Sequence, residues 1–129
     1  NMGESDIRKS IETYVAAWNE HDAELRARLI EQCCAEDLRI TAPGQRICGR
    51  KELDASIADF HRRRPGDVGR LSSVIEIHGN VFRFAAKIEG STVVRPLEML
   101  DAGECDDDGR ICLILSFVGA APLSGRSDR

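Results

Sequence analysis

The chain has 129 residues, enough for one domain that buries roughly two-thirds of its unfolded surface. Its 42% hydrophobic and 31% charged residues exclude a disordered segment, and the net charge of −4 argues against nucleic acid as a partner. No apolar run approaches the ~20 residues of a membrane span, so the expectation is a cytoplasmic protein with no membrane partner.

Asn1-Met2 reads as a remnant ahead of the native start. The first helix is announced by Asp6 as a cap and by Ile7, Ile11, Tyr14, Val15 and Trp18 recurring on one face. After Asn19-Glu20-His21, Asp22 caps a second helix carrying Leu25, Leu29, Ile30 and Cys33. Leu38 to Thr41 is a short strand ended by Pro43-Gly44. A third helix after Gly49 presents Leu53, Ile57 and Phe60 and stops at Arg62-Arg63-Arg64-Pro65-Gly66. That arginine run suggests an anion site, but cations at a helix C-terminus are also favoured by the macrodipole alone, and this plainer reading is preferred.

From Arg70 the period changes to two. Leu71, Ser73, Ile75 and Ile77 alternate with polar residues up to a turn at His78-Gly79-Asn80, and Phe82, Phe84, Ala86 and Ile88 form the next strand. A long strand is predicted from Thr92 to Cys105, bulged at Arg95-Pro96, where proline cannot donate to the ladder. Asp106 to Gly109 turns the chain into a last strand, Arg110 to Val118. Three helices followed by an antiparallel meander make an α+β domain over residues 4–120, with residues 1–3 and 121–129 as flexible termini.

The last strand is apolar on both alternating faces, so both should be covered. Helices can cover one. The other is expected to meet a second copy, giving a homodimer with Leu113, Leu115 and Phe117 in its interface. A two-residue turn at Asp108-Gly109 would set Cys105 opposite Cys112 and Asp101 opposite Ser116. A Cys105–Cys112 disulfide is conceivable, with buried free thiols the default in a reducing compartment. On this register Leu97, Met99, Asp101, Ile114, Ser116 and Val118 share the face towards the helices, which brings a carboxylate inside the fold.

Such a carboxylate has its pKa raised by desolvation, towards the range useful for moving a proton near neutral pH. Tyr14 could donate to a developing enolate oxygen. In the competing reading, Asp101 simply accepts hydrogen bonds from Tyr14 and Ser116 in a satisfied core. Trp18, Ile57, Phe60, Phe82, Phe84, Met99, Ser116 and Val118 are the expected pocket wall around this pair. His21 and His61 at helix ends and His78 beside a turn are read as surface residues. The histidines lack ligand spacing, the five cysteines lack C-x-x-C spacing, and Asp106 to Asp108 lack that of a calcium loop, so no metal is expected. No Gly-rich phosphate loop is present, so no cofactor is expected either.

The order of these segments resembles the nuclear transport factor 2-like superfamily and, within it, the SnoaL-like group. The resemblance covers about Ile7 to Val118 and rests on Tyr14 to Asp22, Ala42-Pro43-Gly44, Gly49-Arg50, Phe82-Arg83-Phe84, Asp101 and Asp106 to Ile111. It implies a cone-shaped fold, a curved antiparallel or mixed sheet packed on three N-terminal helices, which is usually dimeric and holds a pocket for a small apolar molecule. Functions in the family include polyketide cyclases, ketosteroid isomerases, dehydratases, epoxide hydrolases and non-catalytic modules. By resemblance, Tyr14 matches the isomerases' oxyanion-binding tyrosine and Asp101 their protonated acid. Their general base precedes a proline, and the matching position here is Ala42, which accepts no proton. SnoaL-like cyclases need one acid/base residue late in the long strand, a role open to Asp101. Met99 replaces both the arginine of the epoxide-hydrolase relay and a glycine common in SnoaL-like sequences, which narrows the pocket. The sequence therefore supports a cofactor-free proton-transfer enzyme and, alternatively, a ligand-binding or assembly module without chemistry.

Overall fold

A computed structural model describes residues 3–119 of the chain. Asn1-Met2 and the tail from Leu123 to Arg129 lie outside the described residues. Three helices, α1 (Glu4–Trp18), α2 (Ala23–Cys33) and α3 (Gly49–Arg63), pack on one face of a mixed sheet. Its strands are β1 (Cys34–Ala42), β2 (Gln45–Cys48), β3 (Val68–Leu71), β4 (Glu76–His78), β5 (Val81–Glu89), β6 (Leu97–Cys105) and β7 (Ile111–Val118). The order across the sheet is β2-β1-β7-β6-β5-β3, with β4 also on β5, and β1 and β7 run parallel while every other pair is antiparallel. None of the described helices is long and apolar enough to cross a membrane.

The α+β class and the helix faces follow the sequence pattern closely. Ile7, Ile11 and Tyr14 of α1 and Leu53, Ile57 and Phe60 of α3 are buried at helical spacing. Asp22 caps α2 by accepting from the N–H groups of Glu24 and Leu25 at 2.9 and 3.0 Å. Two details differ. Gly3, not Asp6, is the N-cap of α1, and Asp6 reaches back to accept from the Gly3 N–H at 2.9 Å. In α2, Leu25 is exposed and Arg26 is buried. The guanidinium is stable there because Nε donates to Asp54 at 2.6 Å and Nη1 to the Glu20 carbonyl at 2.9 Å, joining α2, α3 and the preceding loop.

The strands show larger departures. The run expected to be continuous through Ile77 is two short strands, because Ser73 Oγ takes the Ala85 N–H at 2.7 Å in place of a backbone carbonyl and interrupts the ladder. β6 begins at Leu97, five residues after the predicted Thr92. Pro96 sits just before it, where a missing donor costs no ladder bond, and Thr92 is instead tied to Asp67. The β6–β7 turn spans Asp106 to Arg110, since Asp106 Oδ1 accepts from the N–H groups of Asp108 at 2.9 Å and Arg110 at 3.0 Å. The register then shifts between Glu104 and Cys105, so Cys105 faces Ile111, and Cys112 is the extra residue of a bulge. Cys105 and Cys112 are thus not paired across the hairpin, and all five cysteines are free. Beyond the bulge the expected register holds, with Asp101 opposite Ser116.

Candidate functional site

Alternation along β6 and β7 turns Met99, Asp101, Ser116 and Val118 to the helix side, where they line a cavity of about 330 Å³ closed opposite by α1 and α3. Tyr14 and Trp18 reach it from the last turns of α1, and Phe60 from the end of α3. Trp18 stands edge-on to both neighbours, its ring centroid 6.5 Å from Tyr14 and 5.7 Å from Phe60. Asn19 spends both amide groups on Gly69, donating to its carbonyl at 2.8 Å and accepting from its N–H at 2.9 Å. This anchors β3 to the end of α1 at the cavity mouth.

Asp101 lies between Phe84 on β5 and Ser116 on β7 in the strand register. It is 6% exposed and Ser116 8%, and among the described residues neither Asp101 Oδ1 nor Ser116 Oγ has a hydrogen-bond partner. A satisfied core network would leave no such atoms. Burial pushes the Asp101 carboxyl up to about 6, with the nearby Ser116 hydroxyl acting in the opposite direction. Tyr14 is held well above the usual phenol value, first by burial and then by the negative charge of Asp101. It therefore remains a protonated donor across the physiological range.

Of the predicted wall, Trp18, Phe60, Phe84, Met99, Ser116 and Val118 line the cavity, whereas Ile57 and Phe82 do not. Ile57, on α3, is 0% exposed in the core, and Phe82 stacks on Phe84 and borders a second hollow. Ala42 and Pro43 also line the cavity, so the position that bears a base in the isomerases reaches the site as a methyl group. Arg63 and Arg64, which the sequence pattern assigns to a plain helix end, contribute to the lining from the arginine run. Sequence reasoning missed the stacking of His21 on His61, centroids 4.0 Å apart, with His61 Nε2 2.8 Å from the Trp18 carbonyl.

The outer sheet face carries a more open hollow of about 440 Å³, bordered by Gly103, Glu104, Leu113 and Leu115. Leu115 and Phe117 are exposed there, Phe117 at 63%. Its titratable lining residues, Glu76, His78, Arg83 and Glu104, are exposed.

These features match known structures. A SnoaL-like family protein from Agrobacterium tumefaciens, described as a candidate isomerase, superposes with a TM-score of 0.82 at 28% identity, covering 90% of this chain and 99% of its own. The fold is that of the SnoaL-like group of nuclear transport factor 2-like proteins. A candidate polyketide cyclase from Sinorhizobium meliloti gives 0.68 at 17% identity, over 84% of this chain and 93% of that one. An LEH-like epoxide hydrolase from M. tuberculosis gives 0.67 at 16% identity, over 89% and 84%. Neither a family sequence model nor a curated relative matches the chain. One SnoaL-like frame thus holds several chemistries, and function has to be argued from the site.

Proposed function

We propose that the protein binds an apolar carbonyl compound and moves a proton on it, with Asp101 as acid/base and Tyr14 as hydrogen-bond donor to the carbonyl oxygen. The observation that carries this reading is a buried carboxyl whose Oδ1 has no partner among the described residues and borders a cavity large enough for a small molecule. A carboxyl titrating near 6 is mostly ionised at pH 7 and still basic enough to accept a proton. The carboxylate takes a proton from the carbon next to the carbonyl, the electron pair passes to oxygen as an enolate, and the Tyr14 hydroxyl stabilises that charge. The proton on Asp101 exchanges with solvent while the enolate is bound, and Asp101 then delivers a proton back to carbon. One carboxyl that both takes and returns a proton needs no second base at Ala42 and no cofactor.

The test does not require the natural substrate. An enolisable bicyclic ketone such as 2-tetralone, incubated in D₂O, should exchange its α-hydrogens faster with the protein than in buffer. Asp101→Asn should remove the excess. Exchange that survives this substitution, or that never exceeds the buffer rate, would overturn the proposal.

A second reading, a binding or assembly module without chemistry, is favoured by Ala42, since a cavity with one titrating group offers less than the isomerases have. It predicts tight ligand binding with no exchange. In either case we infer that a second copy of the chain covers Leu113, Leu115 and Phe117.

A further inference from the structure

We propose that the ligand of this cavity is an organic acid: an apolar body whose carbonyl end reaches Asp101 and whose far end carries a carboxylate held at the mouth by Arg63 and Arg64. The inference deepens the proposed function and rests on it. Among the described residues Asp101 is the one acid in the lining, whereas Arg63, Arg64, Arg70 and Lys87 all contribute to it. The acids just outside the lining pair with these cations without saturating the guanidiniums of Arg63 and Arg64. Asp59 alone serves two guanidiniums, accepting from Arg62 at 2.7 Å and Arg63 at 2.6 Å. Asp67 stands 3.8 Å from Arg64, beyond hydrogen-bond distance, and its oxygens are already taken by the Thr92 N–H and hydroxyl. Arg70 pairs with Glu89 at 3.1 Å, and Lys87 stands between Arg70 and Glu98 in the register on the sheet face away from Asp101, so the clamp rests on Arg63 and Arg64.

The cations are also well placed for the task. Arg63 and Arg64 end α3, three and four residues after Phe60, so the fork that would take a carboxylate adjoins the aromatic wall that would take the apolar body. The substrate's own charge then stays at the rim, in solvent, and does not confront the Asp101 carboxylate in the apolar interior.

The probes are 2-naphthoate and 2-naphthamide, close to isosteric and differing in charge, titrated by calorimetry at low ionic strength. Emission of Trp18, the single tryptophan of the sequence and part of the wall, reports whether they enter this cavity. The acid should bind about tenfold or more tightly than the amide, an advantage that shrinks with added salt. In the Arg63→Gln/Arg64→Gln double variant, whose replaced side chains are 60% and 32% exposed, the acid should fall to the affinity of the amide while the amide is unchanged. Equal binding of acid and amide, or equal loss of both in the double variant, would overturn the inference and leave the proton-transfer reading intact. Failure of both probes to perturb Trp18 would remove the binding cavity, and the inference together with it. Loss of deuterium exchange in Asp101→Asn is read separately.

Discussion

Asp101 on β6 faces Ser116 on β7 directly across the ladder, yet Asp101 Oδ1 and Ser116 Oγ both lack a hydrogen-bond partner among the described residues. The pair is costly for the fold, and the cost depends on pH. In the folded chain the carboxyl titrates near 6, against an ordinary value of 3.8. Between these values the folded state holds the proton more tightly than the unfolded state. Stability therefore falls as pH rises from about 4 to about 6, then stays level, with a total of at most about 3 kcal/mol. Asp101→Asn should flatten this part of the profile relative to the parent chain. Urea unfolding of both proteins between pH 4 and 8 checks it, and parallel profiles would contradict the assignment.

Activity should run the other way. If the carboxylate is the base, deuterium exchange rises with pH through about 6 and then reaches a plateau. A profile that falls over the same interval would mean that the protonated acid does the work.

Tyr14→Phe removes a hydroxyl and preserves the ring that packs edge-on against Trp18. The exchange rate should drop by roughly 10²- to 10³-fold, with 2-naphthamide binding changed little. An unaltered rate would make Tyr14 a wall residue and nothing more.

Gly103 owes its identity to crowding. A Cβ at this position would collide with the Leu113 carbonyl oxygen and come within 2.8 Å of Phe82 Cζ. Gly103→Ala should destabilise the fold by about 1–3 kcal/mol, since neither strand β7 nor the buried ring can yield freely. Thermal unfolding at the parent midpoint would reveal a neutral substitution if the strands can part.

The outer face makes a separate demand. Leu115→Glu/Phe117→Glu should convert the proposed dimer to a monomer in light scattering with little loss of fold, because both side chains are exposed in the single chain. A parent chain that is already monomeric at micromolar concentration would end that proposal.

Much of this was readable from residue order because alternation is a rigid rule. Once Asp106 to Gly109 is recognised as a turn, counting back along β6 assigns Asp101 to the helix side, and the extra residue at Cys112 offsets a turn one residue longer than two, so Asp101 still meets Ser116. The same bulge spoiled the pairing of Cys105 with Cys112, since a local irregularity leaves no periodic trace. β2 escaped notice because four residues with one buried side chain, Ile47, carry too little pattern to recognise. A hydrophobic pattern reports which face is inward and not how deep a residue lies, so it does not separate Ile57 and Phe82 from the wall. The helix dipole accounts for Arg63 and Arg64 locally and carries no information on what lies beyond the helix end.

The position of β7 has a consequence for how the molecule is made. The last of the described strands is a central one, joining β1 on one side to β6 on the other, so β2-β1 and β6-β5-β3 remain two unconnected ribbons until it emerges. During synthesis the helices and both ribbons must wait, with apolar edges open, for residues 111–118 to leave the ribosome. A nascent chain halted before Ile111 should be protease-sensitive throughout, and protection should arrive in one step when β7 clears the exit.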